Sequence, residues 1–270
     1  MTAPQLSIVI PAYNEAERLP PTLREIGLYL ARDRRSAEII VVDDGSTDAT
    51  SEETRRVAVE VPAVRLIRLP QNRGKGFAVR TGIVNATGRR ILFADADGST
   101  PIEELERLEA ALDSGAQVAV GSRSLVANGV VVSAKLSRRV VGKVFQGLVR
   151  ALADPGVVDT QCGFKLFTAD AGHQLFSRLR MNRFSFDVEV LMMARRWGYR
   201  IAEVPVNWTH RAGSKVNVLL DGPAMALDLF TIRSNAMRGR YDAPHIRVHE
   251  TPGSVPAYMP GDRRGDERAP

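Results

Sequence analysis

One cysteine, Cys162, stands in 270 residues, so no disulfide can form within the chain, and the composition suits a reducing compartment. No apolar run approaches the roughly 20 residues that would cross a bilayer. The opening Met1-Thr2-Ala3-Pro4-Gln5 carries neither a basic nor an apolar leader. The expectation is a cytoplasmic protein with no membrane span of its own. Glycine-loop signatures are missing too: Gln71-Asn72-Arg73-Gly74-Lys75-Gly76 has a Gly-Lys pair, but position 69 is leucine where a Walker loop needs glycine. No dinucleotide glycine fingerprint follows the first apolar run.

Acids are absent between Asp113 and Asp154, where Arg123, Lys135, Arg138, Arg139, Lys143 and Arg150 all fall. Apolar residues recur at helical spacing from Leu136 to Leu152, which predicts a basic amphipathic helix over about 135–152. Such a helix suits an anionic partner, a membrane surface above all, although a solvated basic face on a packed helix is the commoner case. Phe145 is the lone stacking ring there, so nucleic acid is not the expected partner.

What is present is enough for a large core: 44% hydrophobic residues with a net charge of +6. Unbroken apolar runs at 6–10, 38–42, 64–69, 90–94 and 116–120 alternate with helical patterns at 19–30, 46–60, 74–86 and 101–112. Alternation of this kind predicts a parallel α/β sheet, doubly wound, with helices on both faces. Ligands bind beyond the carboxyl ends of such strands. Those ends carry Tyr13, Asn14 and Glu15, then Asp43 and Asp44, then Asn72 to Lys75, then Asp95 and Asp97, then Arg123.

Asp95-Ala96-Asp97 has the sharpest chemistry. Residues i and i+2 at a strand end share a face, and two converging carboxylates repel unless a cation lies between them. A hard divalent ion bound to a diphosphate would serve. Taken alone, Asp97-Gly98-Ser99-Thr100 reads equally well as a turn with the N-cap of a helix opening at Pro101. Lys75, at a helix start, could face a diphosphate or simply lie in solvent.

Further on, residues 158–167 form a polar, glycine-containing segment leading into a strand. Asp187 and Glu189 fall in the first turn of a helix, where they favour its dipole. A strand at 201–208 precedes Thr209-His210-Arg211-Ala212-Gly213-Ser214-Lys215, a loop suited to fold over a pyrophosphate. A C-terminal apolar helix is expected over about 219–238. Residues 241–270, rich in Pro, Gly, Arg and Asp, read as a disordered tail after one domain spanning 1–240.

Together these residues resemble the family 2 inverting glycosyltransferases of the GT-A fold, closest to the dolichyl-phosphate β-glucosyltransferase and polyprenyl-phosphate hexose synthase group. The general features are the segments 8–15, 41–48, 72–76 and 95–97. The more particular ones are 159–167, Phe186-Asp187-Val188-Glu189, Val206-Asn207-Trp208 and Gly213-Ser214-Lys215. The resemblance implies a mixed, mostly parallel sheet, and a donor nucleotide held by Pro11, Ala12, Tyr13, Glu15, Asp43, Asp44, Lys75, Asp95 and Ala96. It also implies Mg²⁺ or Mn²⁺ on Asp95, Asp97 and Ser99, with Arg211 and Lys215 closing over the donor. Arg123, Arg138, Arg139 and Gln161 would hold the acceptor phosphate. Asp95, Asp97, Arg123, Arg211 and Lys215 are thus the implied catalytic set.

The implied partners are a nucleotide sugar, UDP-glucose first, and a polyprenyl phosphate. The protein would lie on the cytoplasmic face of a membrane, either directly or through a membrane-protein partner, with a homo-oligomer left open. Other nucleotide sugars or a hydroxyl acceptor, with Asp187 or Glu189 as base, form a second reading. A non-catalytic membrane-docking module is a third.

Overall fold

The structure is a computed structural model and describes residues 3–125, 132–133, 147, 149–211 and 218–243. Arg138, Arg139, Lys215, most of the basic helix expected at 135–152 and the tail from 244 lie outside the described residues.

The apolar runs become strands β1 (Leu6–Ala12), β2 (Ala37–Asp43), β3 (Val64–Arg68), β4 (Arg90–Ala94) and β5 (Val118–Ser122). Alternate side chains of one strand enter opposite cores, which is why the runs are unbroken: Val9 packs on one face of the sheet, Ile8 and Ile10 on the other. Helices α1 (Leu19–Arg32), α2 (Thr50–Glu60) and α4 (Leu105–Asp113) cover the Ile8 face. In α1 the expected stripe of Leu19, Leu23, Ile26 and Leu30 is buried, each leucine contributing about 1.5–3 kcal/mol. Helix α3 (Lys75–Val84) covers the Val9 face, joined there by α5 (Ala169–Ser177), α6 (Phe186–Arg196) and α7 (Val218–Met237).

The seven-stranded sheet runs β3-β2-β1-β4-β7-β5-β8, with β8 at Ile201–Pro205. Strand β7 (Phe164–Thr168) enters antiparallel between β4 and β5, with Phe93 opposite Lys165 and Val120 opposite Lys165. The sheet is therefore mixed and mostly parallel, as the resemblance implies; periodicity alone reads as parallel, because burial on both faces does not reveal strand direction. β6 (Val132–Ser133) and β9 (Trp208–Thr209) form a separate parallel pair. The strand expected at 201–208 is thus two pieces, divided at Val206-Asn207.

Three local features emerge only in the structure. Helix α5, unread in the sequence, is short and begins where Thr168 Oγ1 accepts the Ala171 N–H. Of Ser46 and Asp48, either of which could cap α2 by sequence, Asp48 accepts the Thr50 N–H at 3.0 Å, while Ser46 Oγ accepts from Asn14 N. Tyr241, assigned by composition to the tail, is fully buried. The Trp197 indole N–H donates to its carbonyl, and its hydroxyl meets Glu189 and Asn235. One aromatic anchor outweighs the polar composition around it.

Candidate active site

The chain leaves β1 for β2 on one side, while β4 borders β1 on the other. This reversal opens a crevice at the carboxyl ends of β1 and β4, the place where open α/β sheets bind ligands. Asp95 and Asp97 follow β4, which ends at Ala94, so the two acids belong to a loop and the strand rule does not orient them. Gly98, at φ +60°, turns that loop. Lys75 Nζ sits 2.6 Å from Asp95 Oδ1, and Arg18 Nη1 sits 3.9 Å from Asp97 Oδ2. Asp95 and Asp97 both act on both cations, so the two carboxylates share one charged surrounding. Burial alone would lower the Lys75 ammonium; Asp95, Asp187 and Asp97 outweigh it and raise it.

Asp97 Oδ1 accepts the Ser99 N–H at 2.9 Å, so the turn chemistry is also present. Ser99 is buried, and its carbonyl accepts from Thr209 N at 2.9 Å, tying the acid loop to β9. Arg211 lies across the same loop: a Cβ on Gly98 would stand 3.5 Å from Arg211 Cζ.

On the other side, the loops after β1 and β2 are laced together. Asn14, at φ +54°, accepts from Thr47 N at 2.9 Å, and Glu15 N donates to Thr50 Oγ1 at 2.7 Å. The Glu15 carboxylate takes Arg18 Nε at 2.7 Å. Asp43 is buried against Ser46 N and Ser51 Oγ. Asp44 receives the Arg73 and Gly74 N–H groups at 2.8 Å each. Burial pushes its carboxyl up despite those bonds. Pro11, Ala12 and Ala96 are buried, the two alanines in the core on the Ile8 face, and Tyr13 is exposed.

The floor is a charge pair that periodicity did not reveal. Lys165, the second residue of β7, is fully buried, and its Nζ donates to the Cys162 carbonyl at 2.7 Å and to Asp187 Oδ1 at 2.5 Å. Its neighbour Gly163 accepts the Asp95 N–H at 2.9 Å. A Cβ on Gly163 would fall 2.0 Å from Asp95 Oδ2. Glu189 is equally buried, but it accepts from Arg180 N, Met181 N and the Tyr241 hydroxyl. It ties a loop, and the helix dipole is not its main partner.

Arg123 stands at the end of β5. Its Nε and Nη2 grip Asp159 at 2.8 and 2.7 Å, and its guanidinium lies over Trp208, 5.6 Å from the centroid. Asp159 N in turn donates to Glu203. Burial would raise the Asp159 carboxyl, but Arg123 holds it below the ordinary range. Gln161 is half-buried in the turn leading to Gly163. Arg18, Asp159 and Lys165 are absent from the residues singled out individually in the sequence. A lone lysine inside an apolar run, and an arginine three residues after Glu15, were the available signals.

A mostly parallel sheet with one reversed strand and an acid pair at its switch point is the arrangement of the GT-A fold. The chain belongs to glycosyl transferase family 2, whose model matches residues 7–176. It is 39% identical to the dolichyl-phosphate beta-glucosyltransferase of Homo sapiens over 90% of this chain and 79% of that one. The corresponding protein of Saccharomyces cerevisiae is 36% identical over 87% of this chain and 76% of its own. Among solved structures, glucosyl-3-phosphoglycerate synthase from Mycobacterium tuberculosis, in complex with Mn²⁺, uridine-diphosphate and glucosyl-3-phosphoglycerate, shares the fold. Its TM-score is 0.63 at 22% identity, covering 89% of this chain and 81% of that chain.

Proposed function

We propose that this chain transfers a glucosyl group from UDP-glucose to a polyprenyl phosphate of the dolichyl type, with inversion at the anomeric carbon. The observation that carries the reading is the acid pair at the switch point, each carboxylate faced by a cation, in a chain 39% identical to a dolichyl-phosphate beta-glucosyltransferase. Asp44, Glu15 and the buried ends of β1 would receive the nucleotide, with Pro11, Ala12, Tyr13, Asp43 and Ala96 shaping its pocket.

Asp95 and Asp97, with the Ser99 hydroxyl, would hold Mg²⁺ or Mn²⁺. Two carboxylates fit a hard ion that takes its remaining oxygens from water and diphosphate, and among the described residues no larger cluster of His, Cys, Asp and Glu offers itself. Held there, such an ion would supply charge neutralisation for the diphosphate. Lys75, Arg18, Arg211 and Lys215 add positive charge around the leaving group.

Arg123, Arg138, Arg139 and Gln161 would orient the acceptor. A phosphate monoester is already anionic at neutral pH, its second pKa being about 6. Its oxygen attacks the anomeric carbon as the bond to the diphosphate breaks, and UDP leaves with that electron pair; no proton must be removed. A hydroxyl acceptor would need a base. The two candidates are otherwise engaged, Asp187 by Lys165 and Glu189 by two backbone N–H groups and Tyr241.

The lipid acceptor places the protein at a membrane. No described helix is long and apolar enough to cross one, whereas α7 exposes Leu227, Phe230 and Met237, a stripe suited to lie on its surface. Attachment from the cytoplasmic side, alone or as a homo-oligomer, completes the proposal.

The test is UDP release by the purified chain with a panel of UDP- and GDP-sugars, Mn²⁺ or Mg²⁺ against a chelator, with and without polyprenyl phosphate in detergent. Lipid-dependent, metal-dependent release from UDP-glucose is expected. Donor binding with no response to lipid overturns the acceptor assignment, and faster release from another sugar overturns glucose.

A further inference from the structure

Next to the segment that holds Asp44, and outside the acid-pair crevice, lies an open cleft of about 520 Å³. Arg73, Arg80, Arg178, Arg180 and Arg240 line it, and no carboxylate is among its described lining residues. Five guanidinium ions around one opening repel each other. Their described side-chain hydrogen bonds go to neutral acceptors. Arg73 stacks on Phe77, 4.2 Å from the ring centroid. Arg80 donates to the Leu179 and Ser177 carbonyls at 3.0 and 3.2 Å. Arg178 donates to the Asp242 carbonyl and Arg240 to the Asn235 amide oxygen. The acids that feel Arg73 and Arg180 are Asp44 and Glu189, both buried and already holding backbone N–H groups.

The arginines come from separate parts of the chain, yet the framework holding them is rigid. Phe77 N donates to the Asn182 carbonyl at 3.1 Å. A Cβ on Gly74 would stand 2.4 Å from that same oxygen, and one on Gly76 would stand 2.6 Å from the Met181 carbonyl. The start of α3 and the 179–182 segment are thereby packed backbone to backbone, holding Arg73, Arg80 and Arg180 near one another.

We infer that this cleft binds a phosphate-bearing polyanion at a site separate from the donor crevice. Guanidinium forks match phosphate oxygens two at a time, and five of them exceed the needs of one phosphate. The volume falls in the range of small-molecule sites and admits either a soluble oligophosphate or a phosphorylated headgroup. Ser177 and Asn182 supply neutral polar groups at the wall. The inference does not depend on which sugar or acceptor the crevice takes.

The test is calorimetric titration of the full chain with tripolyphosphate, in chelator so that no metal assists binding at Asp95 and Asp97. Binding of one equivalent is expected. It weakens about tenfold or more in Arg180→Gln/Arg240→Gln, the loss of two charge-assisted contacts, and stays unchanged in Lys75→Gln. Arg180→Lys/Arg240→Lys keeps the charge and part of the affinity, separating loss of binding from loss of fold. Absence of binding, equal affinity in the glutamine variant, or loss confined to Lys75→Gln overturns the inference. Sedimentation with phosphatidylcholine vesicles, with and without phosphatidic acid, assigns the source. Capture by the acidic vesicles that the glutamine variant loses identifies a headgroup, and tripolyphosphate binding without capture identifies a soluble ligand.

Discussion

Lys165 Nζ lies 2.5 Å from Asp187 Oδ1, with both side chains nearly sealed from solvent. The ammonium also reaches the Cys162 carbonyl and sits over the Phe93 ring. The pair therefore fixes the residues flanking Gly163, whose carbonyl and bare Cα support Asp95. Burial pushes the Asp187 carboxyl up, and Lys165 and Lys75 pull it back.

Lys165→Met leaves Asp187 buried without its main partner. Loss of one member of a buried pair costs about 3–5 kcal/mol, so urea midpoints should fall clearly. Lys165→Met/Asp187→Leu should recover much of that stability. A single variant as stable as the parent would show that the pair is not a structural brace.

Gly163→Ala should keep the fold and lose turnover. The new methyl would collide with the Asp95 carboxylate, and displacement of a reacting group by about 1 Å costs on the order of a hundredfold. Steady-state kinetics beside circular dichroism checks this; full turnover in the alanine variant contradicts the packing.

Asp97→Asn should abolish metal-stimulated transfer. It should also weaken Mn²⁺ binding, read by electron paramagnetic resonance, with the melting temperature little changed because Asp97 is partly exposed. Unaltered Mn²⁺ affinity would remove Asp97 from the ion's ligands.

Asp159 is held below the usual carboxylate range by Arg123. Its contribution is complete above its unfolded pKa of about 3.9 and is lost as pH falls through its lower folded value. Asp159→Asn should therefore destabilise the protein most at neutral pH, with the gap to the parent closing below about pH 4. A gap constant with pH would exclude the ion pair as its source.

Cys162 is buried, and burial pushes its thiol up to about 12. Iodoacetamide should leave it unmodified in the folded protein at pH 9, where a free thiol near 8.5 is largely ionised, and modify it readily in urea. Rapid labelling without denaturant would place the thiol at the surface.

The family-defining segments were legible because each is local: continuous apolar runs of strand length, helical stripes such as Leu19 to Leu30, and acids at the ends of runs. Strand direction was not, since an apolar run such as Phe164–Thr168 is buried on both faces whichever way it lies. Helix α5 follows β7 without an intervening residue, so no break in the sequence announced it. Tyr241 was hidden among polar neighbours.

The sequence by itself determined the alternating α/β order and the chemistry-bearing ends of β1, β2, β4 and β5. Local spacing controls both, through backbone periodicity and turn preference. Only the tertiary structure decided that Lys75 faces Asp95, Arg18 faces Asp97, Arg123 grips Asp159 and Lys165 lies under the site with Asp187. It also gathered five arginines around one cleft. Those partners come from separate elements, and their meeting depends on strand order, on the reversed direction of β7 and on glycines that let backbones touch.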